Sequence, residues 1–281
     1  MSKTSARAHF TKVIRVGGRD LRVAVWKAKA GAKPERPLLF FNGIGANIEA
    51  MSPLADWFTD RDIVTYDMPG VGQSPEPVLP YRPWMMAHLT ARLLDKLGID
   101  KVDVMGVSWG GGMAQQFAFQ CASRVGKVIL AATSAGMLMV PGDFKTLSKL
   151  ASPKRYVDPG YMLKNFQMLY GGDGSGAGGH VGRITAPTRR GYLYQLGAML
   201  GWTSAWFLPF LKQKVLILMG DADKIVPVVN GRILSALIPR ARLEIVPGGG
   251  HLFLVSRAAE VAPMIAAFLA EADRDRLKTA A

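Results

Sequence analysis

The residues best suited to chemistry in this sequence are a serine, a histidine and an aspartate, each following an apolar run. The serine stands in Gly106-Val107-Ser108-Trp109-Gly110, directly after the apolar run 102–105. A serine on a tight strand-to-helix turn exposes its hydroxyl, and the glycines let the helix pass close to the strand. We therefore predict that Ser108 is a nucleophile; the alternative is a serine that only caps a helix.

A serine hydroxyl needs a base to take its proton, and the usual base is a histidine oriented by a carboxylate. His251 follows the last predicted strand and the flexible segment Pro247-Gly248-Gly249-Gly250, which could bring it over the sheet edge. His9 lies in the N-terminal arm, His88 in a predicted surface helix, and His180 is expected to be an ordinary polar residue. We predict His251 as the base.

The carboxylate is expected on the loop after the apolar run 215–219, between the serine and the histidine in the chain. Asp221 and Asp223 both stand there. Asp223 is farther along the turn and better placed to reach the histidine, whereas Asp221 is expected to stabilise the turn through its own backbone. We favour Asp223 and keep Asp221 as the alternative; Asp67 precedes the serine and is predicted to form turn architecture near the site.

Acyl transfer also requires hydrogen-bond donors for the developing oxyanion. The backbone N–H of Trp109, next to the nucleophile, is one candidate. The backbone N–H of Ile44, in the loop 42–47 after the apolar run 38–41, is the other. Without the serine, this loop would predict no more than a tight connection between a strand and a helix.

Short apolar runs alternate with helical patterns, which is typical of a mostly parallel sheet covered by helices on both faces. Strands are predicted at 13–16, 21–26, 38–41, 63–66, 102–105, 128–131, 215–219 and 243–246, and helices at 51–58, 83–97, 113–121, 229–237 and 258–272. The first two strands flank Gly17-Gly18 and are predicted to form a hairpin.

The alternation breaks at 134–212, a segment rich in glycine, methionine and aromatic residues. We predict an α/β core formed by 1–133 and 213–281, with 134–212 inserted as a helical cap. Methionine and aromatic side chains suit flexible alkyl groups. Most are expected to pack the cap onto the core, and a minority to contact substrate; our candidates for contact are Met137, Tyr194, Trp202 and Phe253.

Composition excludes several classes of function. Residues 1–36 carry a net charge of +8 and residues 134–214 a net charge of +7, while the rest of the chain carries −1. The total of +14 therefore lies entirely in these two segments. This predicts either attraction to an anionic surface or only solubility; no nucleic-acid motif accompanies it. A single cysteine, Cys121, excludes an internal disulfide, and no metal cluster or dinucleotide motif is present. We expect no secretory signal, and buried helices rather than a membrane span at 191–211.

The chain resembles the α/β-hydrolase superfamily across residues 20–272. The resemblance lies in the order of its features: a strand, the Gly-x-Ser-x-Gly motif, a cap segment, an aspartate and a histidine. Further segments resemble one branch, the intracellular medium-chain-length poly(3-hydroxyalkanoate) depolymerases. These segments are 41–47, 67–72, 106–111, 151–156, 194–196, 201–204 and 249–254. The resemblance implies an eight-stranded α/β-hydrolase fold, a Ser108–Asp223–His251 triad, no cofactor, and action on storage polyester in cytoplasmic granules.

The sequence therefore predicts a cytoplasmic serine esterase, either free or bound to granules, that cleaves poly(3-hydroxyalkanoate) or its oligomers through an acyl-enzyme. One alternative is a broad-range, lipase-like carboxylesterase or a carbon–carbon bond hydrolase that acts on small molecules. A second is a particle-coating protein without activity, which the three triad residues disfavour. The oligomeric state is left open.

Overall fold

The computed structural model describes residues 9–33, 35–150, 158–172 and 177–272. Its strands are β1 His9–Val16, β2 Arg19–Trp26, β3 Leu38–Phe41, β4 Ile63–Tyr66, β5 Val102–Val107, β6 Val125–Ala131, β7 Lys214–Gly220 and β8 Ala241–Val246. They form one sheet in the order β1-β2-β4-β3-β5-β6-β7-β8. Both pairings of β2 are antiparallel, and all others are parallel. The predicted mostly parallel eight-stranded sheet is confirmed.

Helices cover both faces of this sheet, as predicted. They are α1 Ser52–Ala55, α2 Pro83–Lys96, α3 Trp109–Gln120, α4 Phe144–Leu150, α5 Pro159–Tyr170, α6 Ala177–Arg183, α7 Arg189–Met199, α8 Val228–Leu237, α9 Phe253–Ser256 and α10 Ala258–Ala270. One apolar core contains residues of α2, α3 and α8, and the other contains residues of α1 and α10.

Strand β3 illustrates why the central strands read as unbroken apolar runs. Leu39 and Phe41 belong to the first core, while Leu38 and Phe40 belong to the second, and all four are buried. Successive side chains of a strand point to opposite faces, so a strand covered on both faces needs an apolar residue at every position.

Two predicted helices differ from the observed ones. Helix α3 begins at Trp109, directly after the serine, rather than at 113, and Gly110 and Gly111 of its first turn pack closely against Phe41 and Thr133. The predicted helix 51–58 is instead a 3-10 turn, Ile48–Met51, followed by α1. The helical turn starts early because the Ile48 N–H donates to a carboxylate oxygen of Asp67 at 2.7 Å.

Helices α4 to α7 lie between β6 and β7, two strands that pair directly in the sheet. The assignment of 134–212 as a cap stays a prediction. The segment 151–156 and the glycine-rich residues 173–176 lie outside the described residues. The uncharged stretch 191–211 is divided among α7, a turn and the 3-10 helix Leu208–Phe210. Within the described ranges, no helix has both the length and the apolar character needed to cross a membrane.

Candidate active site

Ser108 occupies a strained turn between β5 and α3. Its φ of 54° and ψ of −122° lie outside the regions that ordinary residues adopt, and only Ala132 shares a positive φ among the described non-glycine residues. A β-carbon on Gly106 would lie 2.2 Å from the carbonyl oxygen of Gly110, so the turn closes only with glycine there. Such strain is maintained by its surroundings and is common at functional sites. The Ser108 carbonyl is fixed by the Thr133 hydroxyl, which donates to it at 2.7 Å.

His251 lies beyond the end of β8 and is 6% exposed. Its backbone N–H donates to the Tyr170 carbonyl at the end of α5, and the two rings stack with centroids 6.4 Å apart. A β-carbon on Gly250 would lie 2.3 Å from the same carbonyl, so glycine allows this approach. The histidine loop is thus held against the segment between β6 and β7.

Asp223 is the carboxylate that contacts His251. Its Oδ2 lies 2.7 Å from Nδ1 of the imidazole, and its Oδ1 accepts hydrogen bonds from the N–H groups of Ile225 and Val226 at 2.8 and 2.9 Å. Both oxygens of the Asp223 carboxylate therefore have hydrogen-bond partners. Asp221 instead accepts from the N–H of Gly248 at 2.5 Å, which ties the loop after β7 to the turn after β8. The geometry separates the two aspartates that the sequence left in competition.

The loop after β3 lies beside Ser108, as the prediction for Ile44 requires. A β-carbon on Gly43 would lie 3.7 Å from that of Ser108, and Ile44 lines the same cavity as the serine. Trp109 begins α3, where backbone N–H groups at a helix start have no partner within the helix. The roles of the Ile44 and Trp109 N–H groups as oxyanion donors stay predictions.

Gln195 of α7 is a residue of this region that the sequence analysis did not single out. Its side-chain oxygen accepts from the backbone N–H of Gly45 at 2.9 Å, and its backbone carbonyl accepts from the Trp109 indole N–H at 2.9 Å. Gln195 is fully buried. It therefore connects the loop after β3 to the residue that follows Ser108. A lone glutamine in an amphipathic helix carries no signal for such contacts.

Asp67 also anchors the loop after β3. Besides the Ile48 N–H, it accepts from the Gln73 N–H at 3.1 Å and from the Arg22 guanidinium at 3.3 Å. Burial raises the pKa of Asp67 to about 6, although these donors and the Arg22 charge act in the opposite direction. The predicted turn architecture at Asp67 is present in the structure.

Ser108 and His251 line one cavity of about 120 Å³. Most of its other side chains are apolar; they include Met51, Leu54, Met162, Ile184, Leu254 and Val255. An engineered cavity of roughly 150 Å³ in another protein holds a benzene ring, so this one has room for a short apolar segment. The described walls thus combine a serine, an imidazole and a surface suited to alkyl groups.

The four predicted substrate-contact residues are not among those that line this cavity, and their contact with substrate stays a prediction. Phe253 is completely buried in the core on the α1 and α10 side of the sheet, and the Trp202 indole donates to the Gln116 side chain at 2.8 Å. Met137 is 63% exposed, and Tyr194 packs partly buried against the other core. Aromatic and methionine content identified apolar residues correctly but carried no information on which face they occupy.

His180 and Tyr170 also line the cavity, while the ordinary polar role expected for His180 stays a prediction. The Tyr170 ring contacts those of both His180 and His251, with centroids 5.8 and 6.4 Å away. His88 is exposed on α2 as predicted, whereas His9 begins β1 and stacks on Trp26. Nothing in the spacing of His180 from the other candidates indicated its position.

No group of three or more His, Cys, Asp or Glu side chains within the described ranges could hold a metal ion. Cys121 is partly buried, and burial raises the pKa of its thiol. The side chains of Ser108 and His251 are groups capable of nucleophilic attack and proton transfer.

Comparisons with known proteins agree with this geometry. The chain is 43% identical over 266 residues to a poly(3-hydroxyalkanoate) depolymerase from Ectopseudomonas oleovorans, and the match covers 93% of each chain. It is 26% identical to a 2-hydroxymuconate semialdehyde hydrolase from Pseudomonas sp. strain CF600, over 84% of this chain and 88% of that protein.

A solved esterase from Exiguobacterium antarcticum shares the fold, with a TM-score of 0.77 at 18% identity over 93% of this chain and 100% of that one. The model of the alpha/beta hydrolase family matches residues 38–264. From the sheet order, the turn at Ser108 and these matches, we conclude that the chain belongs to the α/β hydrolase family.

Proposed function

We propose that this protein is a serine esterase that hydrolyses ester bonds of poly(3-hydroxyalkanoate) or its oligomers and releases 3-hydroxy acids. The observation that carries the proposal is the 2.7 Å contact between His251 and Asp223 at a cavity that Ser108 also lines. The 43% identity to a poly(3-hydroxyalkanoate) depolymerase over nearly the whole chain supports the substrate class.

In the proposed reaction, His251 takes the proton of the Ser108 hydroxyl as the serine oxygen attacks the ester carbonyl. Because Nδ1 faces Asp223, Nε2 is the nitrogen that receives this proton. The N–H groups of Ile44 and Trp109 stabilise the oxyanion. The imidazolium then protonates the departing alkoxide, and Asp223 stabilises its charge in the meantime.

The second half of the reaction regenerates the serine. His251 takes a proton from a water molecule, which attacks the acyl carbonyl; the bond to the Ser108 oxygen breaks, and the proton returns to that oxygen. The product is a free 3-hydroxy acid. No cofactor is part of this scheme, because the serine, the imidazole and the carboxylate account for every proton and bond.

We further propose that the segment 134–212 forms a cap, and that its outer surface contacts an anionic granule. Exposed apolar residues of this segment, Phe144, Leu163, Leu193, Leu200, Trp206 and Phe210, support an apolar contact. Lys164 and Arg189 are exposed in the same segment. Basic and apolar side chains together suit a hydrophobic particle that carries negative charge.

A fluorophosphonate probe and a polymer assay together test the proposal. The wild-type protein should label on Ser108, and the folded Ser108→Ala variant should not. The wild type should also release 3-hydroxy acids, identified by mass, from a medium-side-chain polyester suspension, whereas Ser108→Ala should release none. Labelling of Ser108→Ala would refute the nucleophile assignment, and a wild type inactive on every ester would refute the function.

The match to a 2-hydroxymuconate semialdehyde hydrolase supports a second candidate function, a small-molecule hydrolase, which the same experiment tests. The chain is 26% identical to a 2-hydroxymuconate semialdehyde hydrolase. Ser108 labelling together with turnover of soluble substrates, but no acid release from polyester, would favour a small-molecule hydrolase. Absence of labelling in the wild type would favour a coating protein without activity.

A further inference from the structure

The cavity contains one histidine that the proposed mechanism does not use. His180, on the fourth position of α6, is 6% exposed and lines the cavity together with Ser108 and His251. Burial and, to a smaller extent, the neighbouring charge of Arg183 lower the pKa of His180 to about 4. Near neutral pH its imidazole is therefore uncharged, with one hydrogen-bond donor and one acceptor.

The Nδ1 atom of His180 is buried and has no hydrogen-bond partner within the part of the chain that the structure describes. Its close ring neighbours are Phe166 and Tyr170, at centroid distances of 5.9 and 5.8 Å. A buried polar atom without a partner costs free energy and calls for an explanation such as a ligand. Phenylalanine would fill this aromatic pocket without that cost.

The backbone around His180 is anchored to the loop after β3. The buried Asn47 amide donates to the Arg183 carbonyl at 3.0 Å, and its side-chain oxygen accepts from the Thr185 N–H at 3.1 Å. These bonds attach the end of α6 to the loop that carries Ile44. The imidazole is therefore positioned relative to the candidate oxyanion donors and is not on an unsupported surface turn.

The proposed substrate class carries a polar atom suited to an imidazole. In a 3-hydroxyacyl ester the third carbon of the acyl unit carries an oxygen, a hydroxyl at a chain end and an ester oxygen within the polymer. The scissile carbonyl must reach Ser108, so the acyl unit enters the cavity whose other walls are mostly apolar. A simple alkyl ester has no polar group at that carbon.

We propose that His180 determines specificity for 3-hydroxyacyl groups by hydrogen bonding to the oxygen on the third carbon of the bound acyl unit. The proposal rests on the proposed esterase function and extends it. His180 and the candidate base His251 share the Tyr170 ring as a neighbour, at centroid distances of 5.8 and 6.4 Å. In the proposed role His180 contacts the substrate, and proton transfer to and from Ser108 is left to His251, which holds the contact with Asp223.

The test compares nitrophenyl esters of 3-hydroxyoctanoate and octanoate in the wild type, His180→Phe and His180→Asn. We expect the wild type to have a higher kcat/KM for the hydroxylated ester than for octanoate. In His180→Phe this ratio should fall about tenfold, because phenylalanine keeps an aromatic ring but has no nitrogen to form the hydrogen bond. His180→Asn, which retains a donor and an acceptor, should show an intermediate preference. A purely structural role would lower both activities together and leave their ratio unchanged.

A measurement on the wild type alone removes any dependence on variant folding. Free 3-hydroxyoctanoate should inhibit octanoate ester hydrolysis about tenfold more tightly than octanoate does. Equal inhibition, an unchanged ratio in His180→Phe, or complete loss of preference in His180→Asn would overturn the role of His180. All of these outcomes are measured on soluble esters that the enzyme hydrolyses. Failure of the esterase function itself would look different, because the wild type would then neither label with the probe nor turn over any ester.

Discussion

Asp223 lies between two partners: its Oδ2 is 2.7 Å from Nδ1 of His251, and its Oδ1 receives two backbone N–H groups of its own loop. The carboxylate thereby fixes which imidazole nitrogen is left to face the cavity. Asp221, two residues earlier, uses its side chain to hold a neighbouring turn. The two aspartates offer a matched pair for testing the site.

Asp223→Asn should lower kcat for ester hydrolysis by on the order of 10⁴-fold, because an amide no longer stabilises the imidazolium or selects its tautomer. Asp221→Asn keeps an oxygen able to accept from Gly248 and should stay within about twofold of the wild type. Steady-state kinetics on a nitrophenyl octanoate would measure both. Equal losses in the two variants would contradict the assignment of Asp223.

The apolar cavity predicts a preference for acyl chains of medium length. A nitrophenyl octanoate should outperform the acetate in kcat/KM, since each buried methylene contributes about 0.8 kcal/mol until the cavity is full. Met162→Trp should move the optimum to shorter chains, because Met162 lines the cavity. Leu163→Trp, at a neighbouring residue that is 49% exposed, is the control and should keep the wild-type profile. A flat profile in the wild type would argue against this cavity as the acyl site.

Gln195→Ala should lower kcat about tenfold while changing KM little. The variant leaves the buried Gly45 N–H without its acceptor and frees the loop beside the candidate donor Ile44. Leu196→Ala, at an exposed position on the same helix, controls for changes in helix stability. Unaltered kcat in Gln195→Ala would show that the loop holds its geometry without this bond.

Burial of His180 as a neutral imidazole predicts a dependence of stability on pH. Its pKa falls from an ordinary 6.5 in the unfolded chain to about 4 in the folded protein, so the unfolded state binds more protons between these values. The resulting stability is complete above pH 6.5 and is lost as pH falls towards 4, by about 2 kcal/mol at pH 5.

Urea unfolding at pH 7.5 and pH 5 would measure this loss in the wild type and in His180→Phe. The difference in unfolding free energy between the two pH values should be about 2 kcal/mol smaller in His180→Phe. His88→Phe removes an exposed histidine and controls for the substitution itself. Identical pH slopes in wild type and His180→Phe would contradict a buried neutral imidazole.

The basic surface of the segment 134–212 predicts that adsorption to anionic polyester particles weakens as salt rises. Screening shortens the range of charge interactions from about 30 Å at 0.01 M salt to about 3 Å at 1 M. A double variant, Lys164→Glu with Arg189→Glu, should lose most of the salt-sensitive part in a sedimentation assay. Lys96→Glu with Lys101→Glu changes two exposed lysines outside this segment by the same four charge units and is the charge-matched control. Salt-independent adsorption would leave apolar contact as the sole attraction.

Much of the fold could be predicted because covered strands need apolar residues at every position. The runs of the buried strands β2 to β7 matched for this reason, whereas β1 is mostly exposed and was predicted from the hairpin at Gly17-Gly18. The strand-to-helix turn at Ser108 was evident from its glycines. Helix starts were less predictable. The first turn of α3 contains three glycines, which helix propensity disfavours, yet close packing against Phe41 and Thr133 requires them.

The sequence by itself determined the alternation of strands and helices, the strained serine, and the order in which a serine, a carboxylate and a histidine follow their strands. Those features are local: they depend on residue type and on spacing of a few positions. Tertiary structure placed Asp223 rather than Asp221 against His251, left the four predicted contact residues outside the cavity lining, and brought His180 and Gln195 beside the site. Side-chain direction and contacts between residues far apart in the chain are set by packing, which no local pattern encodes.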